Sequence, residues 1–141
     1  MRKILLLLTT LFILNSCTLE PDPQPDYNIE FIAADGVIVP ASVIKGRTYE
    51  VTVAYTKPTG CYLFDRFHTE KDGDAILIAV QAAVRNESEC KKYEVEQHEE
   101  QSFTFTCPID YALDCYIFKF YTGLDDNGIK TYEQVKIPVR K

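Results

Sequence analysis

Five cysteines, two histidines and a surplus of carboxylates are where this chain could carry chemistry. Cys17 has the most defined surroundings. In Leu14-Asn15-Ser16-Cys17 a branched apolar residue stands three before the cleavage point and a small Ser directly before it. This arrangement lets a membrane-embedded peptidase reach the bond before a cysteine whose sulfur carries a diacylglyceryl group. Asn15 departs from the commonest choice at its position. Upstream, Met1-Arg2-Lys3 is a basic start, and Ile4 to Leu14 is an apolar run broken only by Thr9 and Thr10. The run is too short for a permanent span and its flanks are those of a cleaved signal. The expectation is a signal peptide over 1–16 and lipidation at Cys17. The competing reading is an ordinary secretory signal with Cys17 incidental. Parity counts against it, because setting Cys17 aside leaves an even four cysteines in an exported chain.

Those four suggest disulfides. If a hairpin is centred on Asp72-Gly73, Cys61 falls opposite residue 84, and Cys90 folds back to it from the polar loop Arg85-Asn86-Glu87-Ser88-Glu89. Cys107 and Cys115 bracket a loop centred on Tyr111. The expected bridges are therefore Cys61–Cys90 and Cys107–Cys115, out of three possible connectivities. A metal site is the alternative, but there is no Cys-x-x-Cys, the spacings are wide and the compartment is oxidising.

Catalytic constellations are hard to assemble from what remains. His68 lies in Asp65-Arg66-Phe67-His68-Thr69-Glu70, and His98 in Glu96-Gln97-His98-Glu99-Glu100. Nucleophilic catalysis needs one of them beside a nucleophile, and no Gly-x-Ser-x-Gly is present. His98 with Glu96, Glu99 and Glu100 reads as a solvated acidic turn rather than a cation site. Asp125-Asp126-Asn127-Gly128 has no distal bidentate Glu at calcium-loop spacing, since Glu133 is too close. A count of carboxylates does not place any pair across a cleft. No enzymatic activity, metal or cofactor is expected.

Charge and composition narrow the partners. Removing Arg2 and Lys3 with the signal takes Lys+Arg from 15 to 13 against 21 Asp+Glu, a net charge of −8. Nucleic acid is excluded as a partner on that balance, because binding it depends on basic residues neutralising phosphates. Electrostatic binding to anionic lipid is disfavoured for the same reason. Residues 17–27 read as lipidated Cys plus tether. Pro21, Pro23 and Pro25 alternate with acidic and polar residues, which favours an extended polyproline II segment reaching about 25–30 Å.

Period-two alternation takes over in 28–141. Tyr49, Val51, Val53 and Tyr55 share a face, as do Phe103 and Phe105, and Tyr116, Phe118 and Phe120. Strands are predicted over 28–33, 36–39, 48–55, 62–69, 75–84, 101–106, 115–121 and 130–138, with Asp72-Gly73 and Asn127-Gly128 as hairpin signals. The fold class this implies is an all-β antiparallel sandwich of seven to eight strands, a pattern that resembles the immunoglobulin fold in the broad sense. Strand 48–55 has no Cys for the usual inter-sheet bridge, and the chain has no Trp.

Taken together, these features resemble the small Ig-like lipoproteins of Bacteroidota. The resemblance is carried by the segment around Cys17, the acidic Pro-rich tether, Pro58-Thr59-Gly60-Cys61, the apolar run to Val84 before Cys90, and Cys115-Tyr116-Ile117-Phe118-Lys119-Phe120-Tyr121-Thr122-Gly123. It implies a cell-envelope location, at the outer membrane through the lipid on Cys17, with either face open, and no catalysis. Recognition by surface is then what is left to the domain. Tyr62, Tyr93, Tyr111, Tyr121 and Tyr132 fall at strand ends or loops, and tyrosine gives rigid amphipathic contacts at little entropic cost. Tyr111 is the candidate contact residue, against the plainer alternative that it covers the end of the core. The expected function is a non-enzymatic module that binds a protein partner or belongs to an envelope assembly. The alternative is a glycan-binding accessory lipoprotein.

Overall fold

The computed structural model describes residues 27–86 and 90–140. The expected signal peptide, Cys17 and the tether up to Asp26 lie outside the described residues. Nine strands follow one another with no helix among the described residues: β1 (Tyr27–Ile32), β2 (Ala34–Ile38), β3 (Val43–Ile44), β4 (Thr48–Thr59), β5 (Tyr62–Asp72), β6 (Ala75–Arg85), β7 (Lys92–Thr106), β8 (Cys115–Leu124) and β9 (Lys130–Arg140). They form two packed sheets, so the all-β sandwich expected from the alternation is what the chain builds. One sheet has six strands, with β6 at its centre; the other is β2-β4-β7.

The local hairpin chemistry works as the sequence indicates, displaced by one residue. Gly73 takes the first central position of the β5–β6 turn at φ 60°, with Asp74 second and Asp72 paired to Ala75. A glycine there supplies the positive φ that matches strand twist. A bulge between Phe64 and Arg66 then shifts the register, so that Tyr62 meets Val84.

Two expectations about pairing are corrected. The sandwich is not purely antiparallel: β6 pairs β8 in parallel over Ala75–Ile78, and β3 pairs β9 in parallel. Parallel neighbours arise here because β7 is spent on the other sheet, so the strand beside β6 has to arrive by a crossover. The strand count is nine rather than seven or eight, through the two-residue β3. β7 also begins at Lys92 rather than near 101. Its first half, Lys92 to His98, is exposed on both faces, which removes the alternation by which a strand is recognised. The β4–β7 register breaks between Lys57 and Thr59, at Pro58, which has no N–H to give to the ladder.

The core lies between the sheets. Val51, Val53 and Tyr55 of β4 face Ile78, Val80 and Ala82 of β6 and Phe118 and Phe120 of β8. Phe103 and Phe105 meet Phe118 edge-on, with centroids 6.1 and 5.0 Å apart, the quadrupole-favoured arrangement. Tyr55 is buried, and its hydroxyl donates to Glu99 at 2.9 Å, with Lys57 on the same carboxylate at 3.1 Å. Burial and this bond push the Tyr55 phenol well above its ordinary range.

The strand directions define two ends. Tyr27, the first described residue, pairs with Arg85, beside Cys61 and the β8–β9 turn. The β5–β6 turn, the β3–β4 turn and the β7–β8 loop lie at the other end. β6 spans the distance between the ends with 11 residues, about 33 Å.

Candidate functional site

The β7–β8 loop, Pro108 to Asp114, closes the end away from Tyr27 and carries the candidate contact residue. Its geometry corrects the expected Cys107–Cys115 bridge. Cys107 and Cys115 are both free thiols, Cys107 fully buried and Cys115 half-buried. The expected bridge assumed a hairpin, with the two cysteines facing across paired strands. Instead, Cys107 directly follows β7 of the three-stranded sheet and Cys115 begins β8 of the six-stranded sheet, so the loop crosses from layer to layer. Backbone bonds hold its base. Gly46 N–H donates to Cys107 O, Cys107 N–H to Arg47 O, and Val139 N–H to Asp114 O, at 2.7, 3.0 and 2.8 Å. The other expected bridge is formed: Cys61 and Cys90 are bonded, their Cα atoms 5.6 Å apart, tying the β4–β5 turn to the segment before β7.

Tyr111 lies stacked on Tyr116, with ring centroids 4.7 Å apart and planes 21° from parallel. Its hydroxyl donates to Cys115 O at 3.0 Å, and its N–H to Pro108 O at 3.2 Å. Tyr111 also packs on the core, so it does cover the core end as the plainer reading held. It does more than that, because the stacked pair forms one wall of a cleft of about 360 Å³. The opposite side comes from the β5–β6 hairpin: Thr69, Lys71, Asp74 and Ile76. Burial raises the Tyr111 phenol above its ordinary range, helped by Tyr116, Cys115, Cys107 and the Asp74 carboxylate. The same loop turns apolar side chains outward: Ile109 is 82% exposed and Leu113 38%. Ile109 also lies over Gly46, where an added Cβ would sit 3.2 Å from its Cγ1.

Tyr116, Ile109 and Leu113 were not singled out from sequence. Tyr116 reads as a core position of its strand. The signal for the other two was a loop, Pro108-Ile109-Asp110-Tyr111-Ala112-Leu113-Asp114, with three large apolar side chains where polar ones are usual.

The histidines are not brought together. His68, on the outer face of the six-stranded sheet, packs against Phe31 at 5.0 Å. His98 belongs to a row across the outer face of the other sheet: Asp35 of β2, Thr56 of β4, His98 of β7. Thr56 Oγ1 donates to Asp35 at 2.6 Å, and His98 Nδ1 lies 2.8 Å from the same oxygen. With the hydroxyl proton already given to Asp35, the imidazole meets the lone pair of Thr56, so the pair is not set up as a nucleophile and its base. His98 Nε2 lies 3.8 Å from Glu96. Among the described residues no three His, Cys, Asp or Glu side chains are grouped to hold a metal ion. The Asp125 carboxylate is occupied by its own loop, accepting from Asn127 and Ile129 N–H at 2.9 and 2.8 Å.

The remaining tyrosines form no planar row among the described residues. Tyr121 meets Tyr132 edge-on at 65°, and Tyr93 sits beside Gly60 at the Tyr27 end. β5 and β7 each end a sheet with one long side unpaired among the described strands. Compared with known proteins, the chain matches no protein-family model, no curated protein and no solved structure.

Proposed function

We propose that the chain is a non-enzymatic, lipid-anchored module of the cell envelope that binds a protein partner at the end of the sandwich away from its tether. The observation that carries this reading is the cleft walled by Tyr111 and Tyr116, in a loop that also turns Ile109 and Leu113 outward. A stacked aromatic pair held by backbone bonds is a pre-organised anchor, and further apolar side chains exposed on the same loop add water-excluding contact once a partner sits down. The Leu14-Asn15-Ser16-Cys17 segment supports anchorage through Cys17, and the acidic Pro-rich tether supports a domain held off the bilayer. The position of the cleft about 33 Å from Tyr27 fits presentation to another envelope component. The resemblance to Ig-like lipoproteins of the Bacteroidota type agrees with an outer-membrane location.

The second reading, a glycan-binding accessory lipoprotein, draws on Thr69, Lys71 and Asp74 in the cleft wall. It is the weaker one, because Tyr111 and Tyr116 stack on each other rather than lying side by side for a sugar chain.

Native electrophoresis of detergent-extracted envelopes tests the leading reading. The wild-type chain should migrate in a larger complex, and the Ile109→Asp/Leu113→Asp variant should migrate alone while keeping its melting temperature. Unchanged migration of the variant would refute the proposal.

A further inference from the structure

A second apolar surface lies at the opposite end, on the outer face of the six-stranded sheet. Register places Tyr27, Ile29 and Phe31 of β1 on that face, with Tyr121 and Leu124 of β8 and Lys130 and Tyr132 of β9. The pieces touch. Phe31 meets Tyr121 at 6.2 Å, Tyr121 meets Tyr132 at 6.0 Å, and Lys130 Nζ lies 4.9 Å above the Phe31 ring. Yet the face carries no covering layer among the described residues: Ile29 is 57% exposed, Leu124 59%, and Ile129 in the adjoining turn 64%.

We infer that this corner rests on a lipid surface, so that the domain is docked at the bilayer rather than swinging on its tether. The occupant follows from where the chain outside the structure joins. Tyr27 is itself a member of the patch, and Cys17 stands ten residues before it, a reach of about 30 Å when extended. A lipid held on Cys17 therefore keeps membrane within reach of this face at high effective concentration. The composition suits the interface: tyrosines with an apolar body and a wet hydroxyl, aliphatic side chains between them, and one lysine able to snorkel. The net charge of −8 after signal removal gives no attraction to anionic lipid, so the contact is apolar and prefers zwitterionic headgroups. Docked in this way, the chain holds the Tyr111 cleft away from the bilayer. The inference rests on the anchored reading of Cys17.

The absence of tryptophan from the chain allows a clean test. The full lipidated chain carrying Tyr132→Trp is reconstituted in phosphatidylcholine vesicles with acyl chains brominated near the headgroup, and Ile109→Trp serves as the distal reporter. Emission of Tyr132→Trp should fall by about half, that of Ile109→Trp should not change, and adding Ile29→Asp and Leu124→Asp should abolish the quenching without releasing the chain from vesicles. Equal quenching at both positions, or none at either, overturns docking while leaving the anchor intact. A blue shift at position 132 without quenching assigns the patch to a second copy or a protein and also overturns it. Failure of the wild type to float with vesicles overturns the anchored reading and the docking together.

Discussion

Tyr62 and Glu30 show how much a single side-chain bond does at the Tyr27 end. The Tyr62 hydroxyl donates to Glu30 at 2.6 Å, joining β5 to β1 across the intervening β6. That bond, with burial and the carboxylate's charge behind it, pushes the phenol up to about 12 from its ordinary 10. A phenol whose folded value is raised stabilises the fold fully below pH 10 and loses that contribution as pH rises through 12. The site is partly open to solvent, which holds the contribution to about 1 kcal/mol. Urea titrations at pH 9 and pH 12 should therefore show a loss of that order in the wild type beyond that of Tyr62→Phe; parallel losses would remove the bond from the account. At the cleft, Tyr111→Phe deletes only the bond to Cys115 O and should cost about 1 kcal/mol. Tyr111→Ala also removes the stack on Tyr116 and part of the core cover, and should cost about 2–4 kcal/mol by thermal denaturation. Equal costs for the two would mean the ring contributes nothing.

Among the elements, the contrast between the two cysteine pairs is the most informative. Cys61–Cys90 closes a separation of 29 residues, and its removal in Cys61→Ala/Cys90→Ala should cost about 3–4 kcal/mol of stability. Cys107 and Cys115 should both be alkylated by a thiol reagent, Cys115 in the native domain and Cys107 only after denaturation, because Cys107 is fully buried. A denatured domain in which neither is alkylated would restore the second bridge. This contrast also marks what could be read from sequence. The β5–β6 hairpin is legible because Asp72-Gly73 and the alternation on either side are local, and Cys61–Cys90 follows from it within a residue. The β7–β8 connection has no such signature: a hairpin and a crossover between layers look alike when the loop is seven residues. β7 keeps an open flank of its own, so whether β8 lies against β7 or against β6 is decided by how the two layers pack, a property of the whole chain. The same holds for β3, two residues long, whose strand character exists only because β9 is beside it. Tyr111 was legible as a contact candidate, whereas its partner Tyr116 was hidden by having the alternation of a core strand.

For the whole molecule, the account is one of polarity. Tyr27, the disulfide and the apolar corner of the large sheet sit at one end; the free thiols, the Tyr111 cleft and the outward Ile109 sit at the other. On the proposed reading the first end meets lipid and the second meets a protein. Cys17→Ser should leave the exported domain folded but recover it in the soluble envelope fraction, and retention in membranes would break the anchored reading. The central claim is that the distal end alone makes the protein contact. Site-specific photocrosslinking in intact cells tests it most directly, with the reactive group at position 109 in the β7–β8 loop or at position 127 in the β8–β9 turn. The account predicts a discrete protein adduct from position 109, lost on adding Tyr111→Ala, and none from position 127. An adduct from position 127 alone, or none from position 109, would contradict it.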